Sequence, residues 1–204
     1  MARKQADKKK PRRGRLRIVA GNWRSRLLEI ADVPSLRPTS ERIRETLFNW
    51  LSSSSSIDAW CCLDLCAGTG ALGLEALSRG AAHAVFVEKS ADATAALTKN
   101  VRTLGASNAE VLNMDALAYL SSGRAEKFDL VFLDPPFSSD LYGELCRLLS
   151  NGGWLADGAR IYIEMDRAQS DSFMPDDWQV LKDKSAGNVR YMLATRIDKG
   201  SPDT

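Results

Sequence analysis

The sequence predicts an α/β fold in which a mostly parallel β-sheet is covered by helices on both faces. Two observations support this prediction. Between Cys61 and Leu149, short apolar runs alternate with stretches of helical periodicity, a pattern typical of parallel strands joined by crossover helices. After residue 160 the helical stretches stop and three more strands are predicted. We therefore expect an antiparallel hairpin to close the sheet.

The elements before residue 57 form a separate predicted group. Residues 16–20 and 26–30 are predicted to be the two strands of a hairpin, with turn-forming residues between them. Thr39 or Ser40 is the expected N-cap of a helix in which apolar residues recur at helical spacing. The serine run at residues 52–56 indicates a linker to the main domain.

The main domain is predicted to contain four strand–helix pairs followed by three strands. The four strands are residues 61–65, 84–88, 110–113 and 128–134. The four helices are residues 71–79, 91–104, 116–121 and 139–149. The last three strands are residues 160–164, 178–181 and 189–195, with a turn at residues 186–188.

The charge is distributed unevenly along the chain. The formal net charge is +2, but residues 1–26 contain 11 of the 28 lysines and arginines and a single acid, Asp7. This segment therefore carries +10, and the rest of the chain carries −8. A basic arm of this kind suits a polyanion such as nucleic acid, although a solubilising tail is the alternative. Residues 1–14 are too polar to build a core and are predicted to be disordered.

Composition excludes several functional classes. The four cysteines contain no CxxC pair and no regular spacing, so neither a disulfide framework nor a zinc site is indicated. The single histidine, His83, excludes a Ser-His-Asp hydrolase and a histidine-rich metal site. No apolar run approaches the roughly 20 residues that a membrane-spanning helix needs. We expect a cytoplasmic protein without a metal.

A glycine-rich loop follows the first strand of the main domain. Gly68, Gly70 and Gly73 lie between a predicted strand and a predicted helix, where a missing side chain lets the backbone approach a ligand. Glu88 ends the next strand, where a carboxylate can bind both hydroxyls of a ribose. These features alone suit either NAD or S-adenosylmethionine.

An acid beside this loop favours S-adenosylmethionine. Asp64 lies in the preceding strand, where its charge would repel a pyrophosphate but attract an ammonium and a sulfonium. Asp115 follows the third strand and is expected to receive the adenine amino group, although it could equally be a helix N-cap. The predicted cofactor-binding residues are Asp64, Ala67, Gly68, Gly70, Glu88 and Asp115.

A second motif ends the fourth strand of the main domain, at the sheet edge that also holds the glycine loop. This motif comprises Asp134, Pro135, Pro136 and Phe137, the predicted catalytic residues. The Asp134 carboxylate and the Pro135 carbonyl can each accept an N–H of an exocyclic amine, which directs the lone pair toward a methyl donor. Phe137 can stack on an extruded base. An ordinary turn remains the alternative.

With these motifs the chain resembles the bacterial 16S rRNA guanine-N2 methyltransferases. The matching stretches are residues 17–26, 36–39, 42–51, 63–81 and 128–137. The specific part is Leu-Arg-Pro-Thr at residues 36–39 with the helix that follows, because many amino-methylating enzymes share the other two motifs. The chain departs from the family pattern at Cys66, at Thr69 and in the terminal strand at residues 191–194.

The resemblance implies a class I S-adenosylmethionine-dependent methyltransferase fold, which is a Rossmann-like, seven-stranded, mostly parallel sheet with an antiparallel C-terminal hairpin. It also implies S-adenosylmethionine as donor and N2-methylguanine in 16S rRNA as product, within an assembled or partly assembled small ribosomal subunit. Residues 1–14 would be the basic arm, 15–56 the RNA-contacting extension and 57–200 the methyltransferase domain. The chain is small enough for us to expect a monomer.

The basic residues of the extension are predicted to contact RNA, although each could instead be a solvated surface charge. The predicted RNA-binding residues are Arg15, Arg17, Arg24, Arg26, Arg37 and Thr39, of which Arg37 and Thr39 are expected to border the active site. Three other functions remain open on the sequence alone: adenine-N6 methylation of DNA or RNA, a nicotinamide-dependent oxidoreductase, and a noncatalytic RNA-binding assembly factor.

Overall fold

The computed structural model describes residues 14–33, 36, 38–53, 56–123, 126–137 and 139–197. The predicted basic arm, apart from Gly14, lies outside the described residues, as do Arg37 and part of the serine run. In chain order the elements are β1 (Arg15–Arg17), β2 (Leu27–Glu29), α1 (Glu41–Ser52), β3 (Cys61–Leu65), α2 (Ala71–Ser78), β4 (His83–Glu88), α3 (Ala91–Leu104), β5 (Ala109–Asn113), α4 (Ala116–Leu120), β6 (Phe128–Leu133), α5 (Tyr142–Asn151), β7 (Leu155–Asp166), β8 (Trp178–Ala186) and β9 (Val189–Arg196).

A seven-stranded sheet runs through the centre of the protein in the order β5-β4-β3-β6-β7-β9-β8. The first five strands in this order pair in parallel, whereas β9 is antiparallel to both β7 and β8. The predicted fold class is confirmed, including the antiparallel C-terminal hairpin. Since parallel strands end at one edge of a sheet, the loops after β3, β4, β5 and β6 share that edge.

The main differences from the predicted elements lie in the last third of the chain. Helix α5 begins at Tyr142 rather than Ser139, because the Ser139 N–H donates to the Pro136 carbonyl in a turn. Strand β7 begins at Leu155, ahead of Asp157 and Gly158, which interrupt the apolar run. Strand β8 extends to Ala186 although most of its residues are exposed. It is the edge strand of the sheet and is held by its pairing with β9, so most of its side chains can remain exposed.

The N-terminal elements share one hydrophobic core with the central sheet. Hairpin β1–β2 buries Leu16, Ile18 and Leu28, and these side chains pack in the same cluster as Leu72 of α2 and Phe86 of β4. A second cluster fills the opposite face of the sheet, beneath α4 and α5. The predicted hairpin is confirmed, and the chain division at residue 56 stays a prediction. In the part of the chain that the structure describes, no helix is long and apolar enough to cross a bilayer.

Ser40, rather than Thr39, caps helix α1. The Ser40 hydroxyl accepts the Ile43 N–H at 3.3 Å, which satisfies one of the free donors of the first turn. The Thr39 side chain is thereby left for a contact elsewhere.

A buried ion pair joins α1 to α2. Arg44 Nη1 lies 3.2 Å from Glu75 Oε2, and both side chains are almost completely buried. The same guanidinium donates to the Arg17 carbonyl at 2.8 Å and to the Thr39 carbonyl at 3.2 Å. Burial lowers the pKa of Arg44, and the Glu75 carboxylate opposes that shift.

Glu75 also holds the N-terminal hairpin. Its two carboxylate oxygens accept the backbone N–H groups of Val19 and Ala20, each at 2.9 Å. A further ion pair with Arg79, also at 2.9 Å, completes its shell of donors. A single carboxylate on α2 thus binds the hairpin, α1 and its own helix.

Replacing Glu75 by alanine should destabilise the protein strongly. The substitution Glu75→Ala leaves the Arg44 guanidinium buried without its carboxylate and removes the acceptor of two hairpin N–H groups. Breaking a buried pair from one side costs about 3–5 kcal/mol in the free energy of unfolding. Urea denaturation measures this loss. The matched control is Glu45→Ala on the exposed side of α1, where the change should stay within about 0.5 kcal/mol. Equal losses in the two variants would contradict the assignment.

Candidate active site

The glycine loop, residues 66–70, connects β3 to α2 in a tight left-handed path. Cys66, Gly68 and Gly70 have φ angles of 61°, 54° and 73°. Gly70 is the N-cap of α2, and a Cβ atom there would lie 2.4 Å from Leu97 Cδ1. Ala67 anchors the loop, because its N–H donates to the Val87 carbonyl at 2.9 Å. The backbone and the packing therefore both require glycine at position 70.

Asp64 lies beneath the glycine loop, with 2% of its surface exposed. Its Oδ2 accepts the Gly73 N–H at 3.0 Å and so fixes the first turn of α2. Burial raises the pKa of this carboxyl to about 8. The contact seen here is with the backbone, and the expected contact of Asp64 with the cofactor stays a prediction.

Glu88, at the end of β4, shapes the loop from the other side. Its Oε2 accepts the Gly68 N–H at 2.8 Å, and its Oε1 accepts the Ser90 N–H at 2.6 Å. The side chain is partly exposed, and each carboxylate oxygen keeps a second lone pair. Glu88 can therefore hold the loop and still accept the hydroxyls of a ribose.

Asp115 caps helix α4. Its Oδ1 accepts the N–H groups of Leu117 and Ala118 at 2.9 and 3.3 Å, and its Oδ2 lies 3.3 Å from Lys89 Nζ. Although burial raises the pKa of Asp115, these hydrogen bonds outweigh it and the net shift is downward. The helix-cap interpretation is thus confirmed, and the expected adenine contact, which is compatible with it, stays a prediction.

The Asp-Pro-Pro-Phe segment lies directly after β6, at the same edge as the glycine loop. Asp134 is half-buried, and its Oδ2 lies 3.4 Å from the donating Thr39 hydroxyl. The Pro136 carbonyl accepts both the N–H and the hydroxyl of Ser139, at 2.8 and 2.6 Å. Among the described residues, the Pro135 carbonyl has one long contact, 3.5 Å, with the Tyr142 hydroxyl. Of the two carbonyls, that of Pro135 is therefore better able to accept a hydrogen bond from an amine. Phe137, two residues further along the chain, is 37% exposed.

One acid at this edge, Glu164, was not predicted from the sequence. Glu164 on β7 is 5% exposed, and its Oε2 accepts the Tyr162 hydroxyl at 2.8 Å. Register places Leu133 opposite Ile163, so Asp134 and Glu164 follow as neighbours on adjacent strands. The sequence signal that could have identified this residue is the acid itself, which interrupts the apolar run at residues 161–165. Burying an acid in a strand costs free energy, so its presence there indicates a specific role.

Four carboxyl groups from four strand ends surround Cys66. Burial, and after it the negative charges of Glu88, Asp134, Asp64 and Asp115 in that order, together raise the pKa of this thiol to about 12. An edge with this potential repels a pyrophosphate and attracts a cation. The residues present therefore fit a sulfonium ligand such as S-adenosylmethionine, with Glu88 and Asp115 placed to hold its polar groups.

The predicted RNA-binding residues occupy different places. Arg15, Arg17, Arg24 and Arg26 are exposed on the N-terminal hairpin, with Arg17 3.7 Å from Glu41. The hairpin turn binds the end of α2, because the Asn22 N–H donates to the Ser78 carbonyl. Arg24 therefore lies at the opposite end of α2 from the glycine loop. Thr39 is 5% exposed and contacts Asp134, and Arg37 lies outside the described residues.

The strand order, the glycine loop and the acidic strand ends beside Asp-Pro-Pro-Phe define a class I, S-adenosylmethionine-dependent methyltransferase. Comparison with known proteins supports this class. The family model described as "Conserved hypothetical protein 95" matches residues 16–195. The chain belongs to this family.

Curated relatives and a solved structure are close to the chain over most of its length. It is 45% identical to the "Ribosomal RNA small subunit methyltransferase D" of Escherichia coli, over 93% of this chain and 94% of that protein. The protein of the same name in Haemophilus influenzae is 42% identical, over 89% and 94%. The solved structure of the Escherichia coli protein yhhF has a TM-score of 0.80 at 45% identity, and the match covers 90% of this chain and 99% of that one. These relatives favour the methyl donor over the dinucleotide that the glycine motif alone also suits.

Removing the Glu88 carboxylate should weaken binding of S-adenosylhomocysteine, the demethylated form of the donor. Glu88→Ala frees two backbone N–H groups that shape the loop and deletes the expected ribose acceptor. Hydrogen bonds to a charged group contribute about 1.5–3 kcal/mol, so affinity should fall about tenfold or more. Isothermal titration calorimetry checks this, with Asp157→Asn on the exposed start of β7 as the control. Unchanged affinity in Glu88→Ala would argue against a role of Glu88 in the cofactor site.

Proposed function

We propose that this protein transfers the methyl group of S-adenosylmethionine to the exocyclic N2 amine of a guanine in 16S rRNA. The observation that carries the proposal is the position of Asp134 and the Pro135 carbonyl, two acceptors at the edge where four carboxyls surround the glycine loop. The curated relatives, named as methyltransferases of small-subunit ribosomal RNA, support the class of substrate.

Methyl transfer to an amine depends more on the alignment of the two reactants than on the activation of either. The amine lone pair attacks the methyl carbon, the C–S bond breaks with its electron pair on sulfur, and neutral S-adenosylhomocysteine leaves. The nitrogen then gives up one proton, which the Asp134 carboxylate is placed to accept. Holding both reactants in line contributes up to about 7–11 kcal/mol in well-ordered systems. Asp134 and Pro135 supply this alignment by accepting the two amine hydrogens.

Access to the amine requires that the base leave its stack. Phe137 is exposed next to Asp134 and offers a face on which an extruded base can stack. The exposed arginines of the hairpin suit RNA phosphates at a distance from the target base. We propose that the natural substrate is an assembled or partly assembled small ribosomal subunit, and that the enzyme acts as a monomer in the cytoplasm.

Methyl transfer from labelled S-adenosylmethionine to unmodified 16S rRNA and to partly assembled 30S particles tests the proposal. Nucleoside chromatography of the product should show N2-methylguanosine from the wild type. Asp134→Ala should lower the rate by at least about 100-fold, since it removes one of two groups that align the amine. Asp140→Ala, an exposed acid on the same connection, is the matched control and should stay active.

The alternative products have distinct consequences. N6-methyladenosine in place of N2-methylguanosine would transfer the proposal to adenine, because Asp134 and Pro135 can bind either amine. Full activity in Asp134→Ala would remove this residue from the mechanism. RNA binding without methyl transfer by the wild type would favour the noncatalytic assembly factor.

The hairpin arginines should contribute to RNA affinity through phosphates. Removing one arginine–phosphate interaction reduces the slope of log K against log salt by about one. Arg24→Ala and Arg26→Ala should each lower this slope and weaken binding to all RNA sequences alike. Filter binding across a salt series measures both effects. Arg102→Ala, an exposed arginine on α3 outside the hairpin, is the control, and an equal loss there would show that the hairpin has no special role.

A further inference from the structure

Asp134 lies beside a second acid, the buried Glu164, which methyl transfer as described above does not use. They lie on neighbouring parallel strands at the edge that binds the cofactor. Glu164 is anchored from below, because its Oε2 accepts the Tyr162 hydroxyl at 2.8 Å, and its carbonyl accepts the Tyr142 hydroxyl at 2.9 Å. Glu164 is therefore held next to Asp134 rather than free to turn toward solvent.

The Thr39 hydroxyl acts on both carboxyl groups. It donates to Asp134 Oδ2 at 3.4 Å, and it lowers the pKa of Glu164. A hydroxyl group has one hydrogen to donate, so it cannot donate to two ionised carboxylates at once. One proton held by the pair removes this conflict, because the protonated acid can donate to the threonine oxygen.

The environment of the two carboxyl groups also favours a pair that holds one proton. Burial raises the pKa of Asp134 well above its usual value, and the charges of Glu164 and Asp64 raise it further, against a small opposing effect of Thr39. Burial also raises the pKa of Glu164, while the hydroxyls of Tyr162 and Thr39 lower it. Among the described residues, the other titratable groups that act on this pair are Cys66 and Tyr142, and Tyr191 lies opposite Glu164 on β9. In the described part of the chain, no group of three or more acids, cysteines or histidines is arranged to hold a metal ion that would neutralise the pair.

We propose that Glu164 is a positioning residue for Asp134, and that the two carboxyls share one proton through the Thr39 hydroxyl at neutral pH. This inference rests on the proposed function of Asp134 as the acceptor of the amine. With one shared proton, the pocket carries one negative charge instead of two. Asp134 presents its Oδ1 to the amine, and Glu164 sets the pH at which the Asp134 carboxyl is ionised.

Stability as a function of pH tests the shared proton without any methyl transfer. A carboxyl whose pKa is raised in the folded state keeps a proton that the unfolded chain has released. The free energy of unfolding therefore falls as the pH rises from about 4 toward the folded-state pKa. The fall between about pH 5 and about pH 8 should be smaller in Glu164→Gln and in Asp134→Asn than in the wild type. Asp64 is present in all three proteins, and Asp157→Asn should match the wild type.

The pH dependence of methyl transfer tests the positioning role. In the wild type the rate should rise with pH as Asp134 ionises. In Glu164→Gln, which keeps an oxygen for Tyr162 but removes the neighbouring charge, the same rise should occur about one pH unit or more lower. A role of Glu164 in folding alone would lower the rate at every pH without moving the profile.

The outcomes separate this inference from the proposed function. A wild-type enzyme that makes no N2-methylguanosine contradicts the proposed function, while the stability slopes still decide whether the proton is shared. An active wild type whose Glu164→Gln variant keeps both the wild-type stability slope and the wild-type rate profile overturns the inference. Smaller slopes in both variants, together with the shifted profile, support it.

Discussion

The buried ion pair between Arg44 and Glu75 connects the N-terminal hairpin, α1 and the helix that follows the glycine loop. Removing two charges from water costs several kcal/mol per ion, and good geometry with further hydrogen bonds is needed to offset it. Here those hydrogen bonds are the structural connections themselves, from the hairpin backbone to Glu75 and from Arg44 to the carbonyls of Arg17 and Thr39. The cost of burial is therefore offset by contacts that fix where the N-terminal elements lie.

The position of Thr39 follows from this ion pair. Arg44 binds the Thr39 carbonyl, and Ser40 takes over the capping of α1, so the Thr39 hydroxyl is directed at Asp134. The N-terminal extension thus provides part of the wall of the active site in addition to the exposed arginines on its outer surface. The extension that we propose to bind RNA also touches Asp134, and it can couple the two because a shift of the hairpin would be transmitted to Thr39 through one buried guanidinium.

Much of this arrangement could be predicted from the sequence, for reasons that differ between elements. β3 and α3 were predicted to the residue, because an apolar run defines β3 and helical periodicity defines α3. The glycine loop and Asp-Pro-Pro-Phe were found because they are contiguous and their shared sheet edge follows from parallel topology. Glu164 was missed because its partners, Asp134 and Thr39, are distant in sequence and no local pattern links them. The Arg44–Glu75 pair was missed likewise, since a charged residue on an amphipathic helix is expected to face solvent.

The acids at the carboxyl edge show why local rules fail where a binding site is built. Asp64, Asp134 and Glu164 are placed in strands or strand ends whose neighbours are almost all apolar, and each carries a raised pKa as a result. A fold selected for stability alone would place apolar side chains there. Each acid instead meets a specific donor: the Gly73 N–H, the Thr39 hydroxyl and the Tyr162 hydroxyl. These donors stabilise part of the negative charge, and a cationic methyl donor would stabilise it further. The same acids that lower the stability of the unliganded fold therefore stabilise the bound ligand. The folding free energy lost at the site and the affinity for the ligand have the same cause.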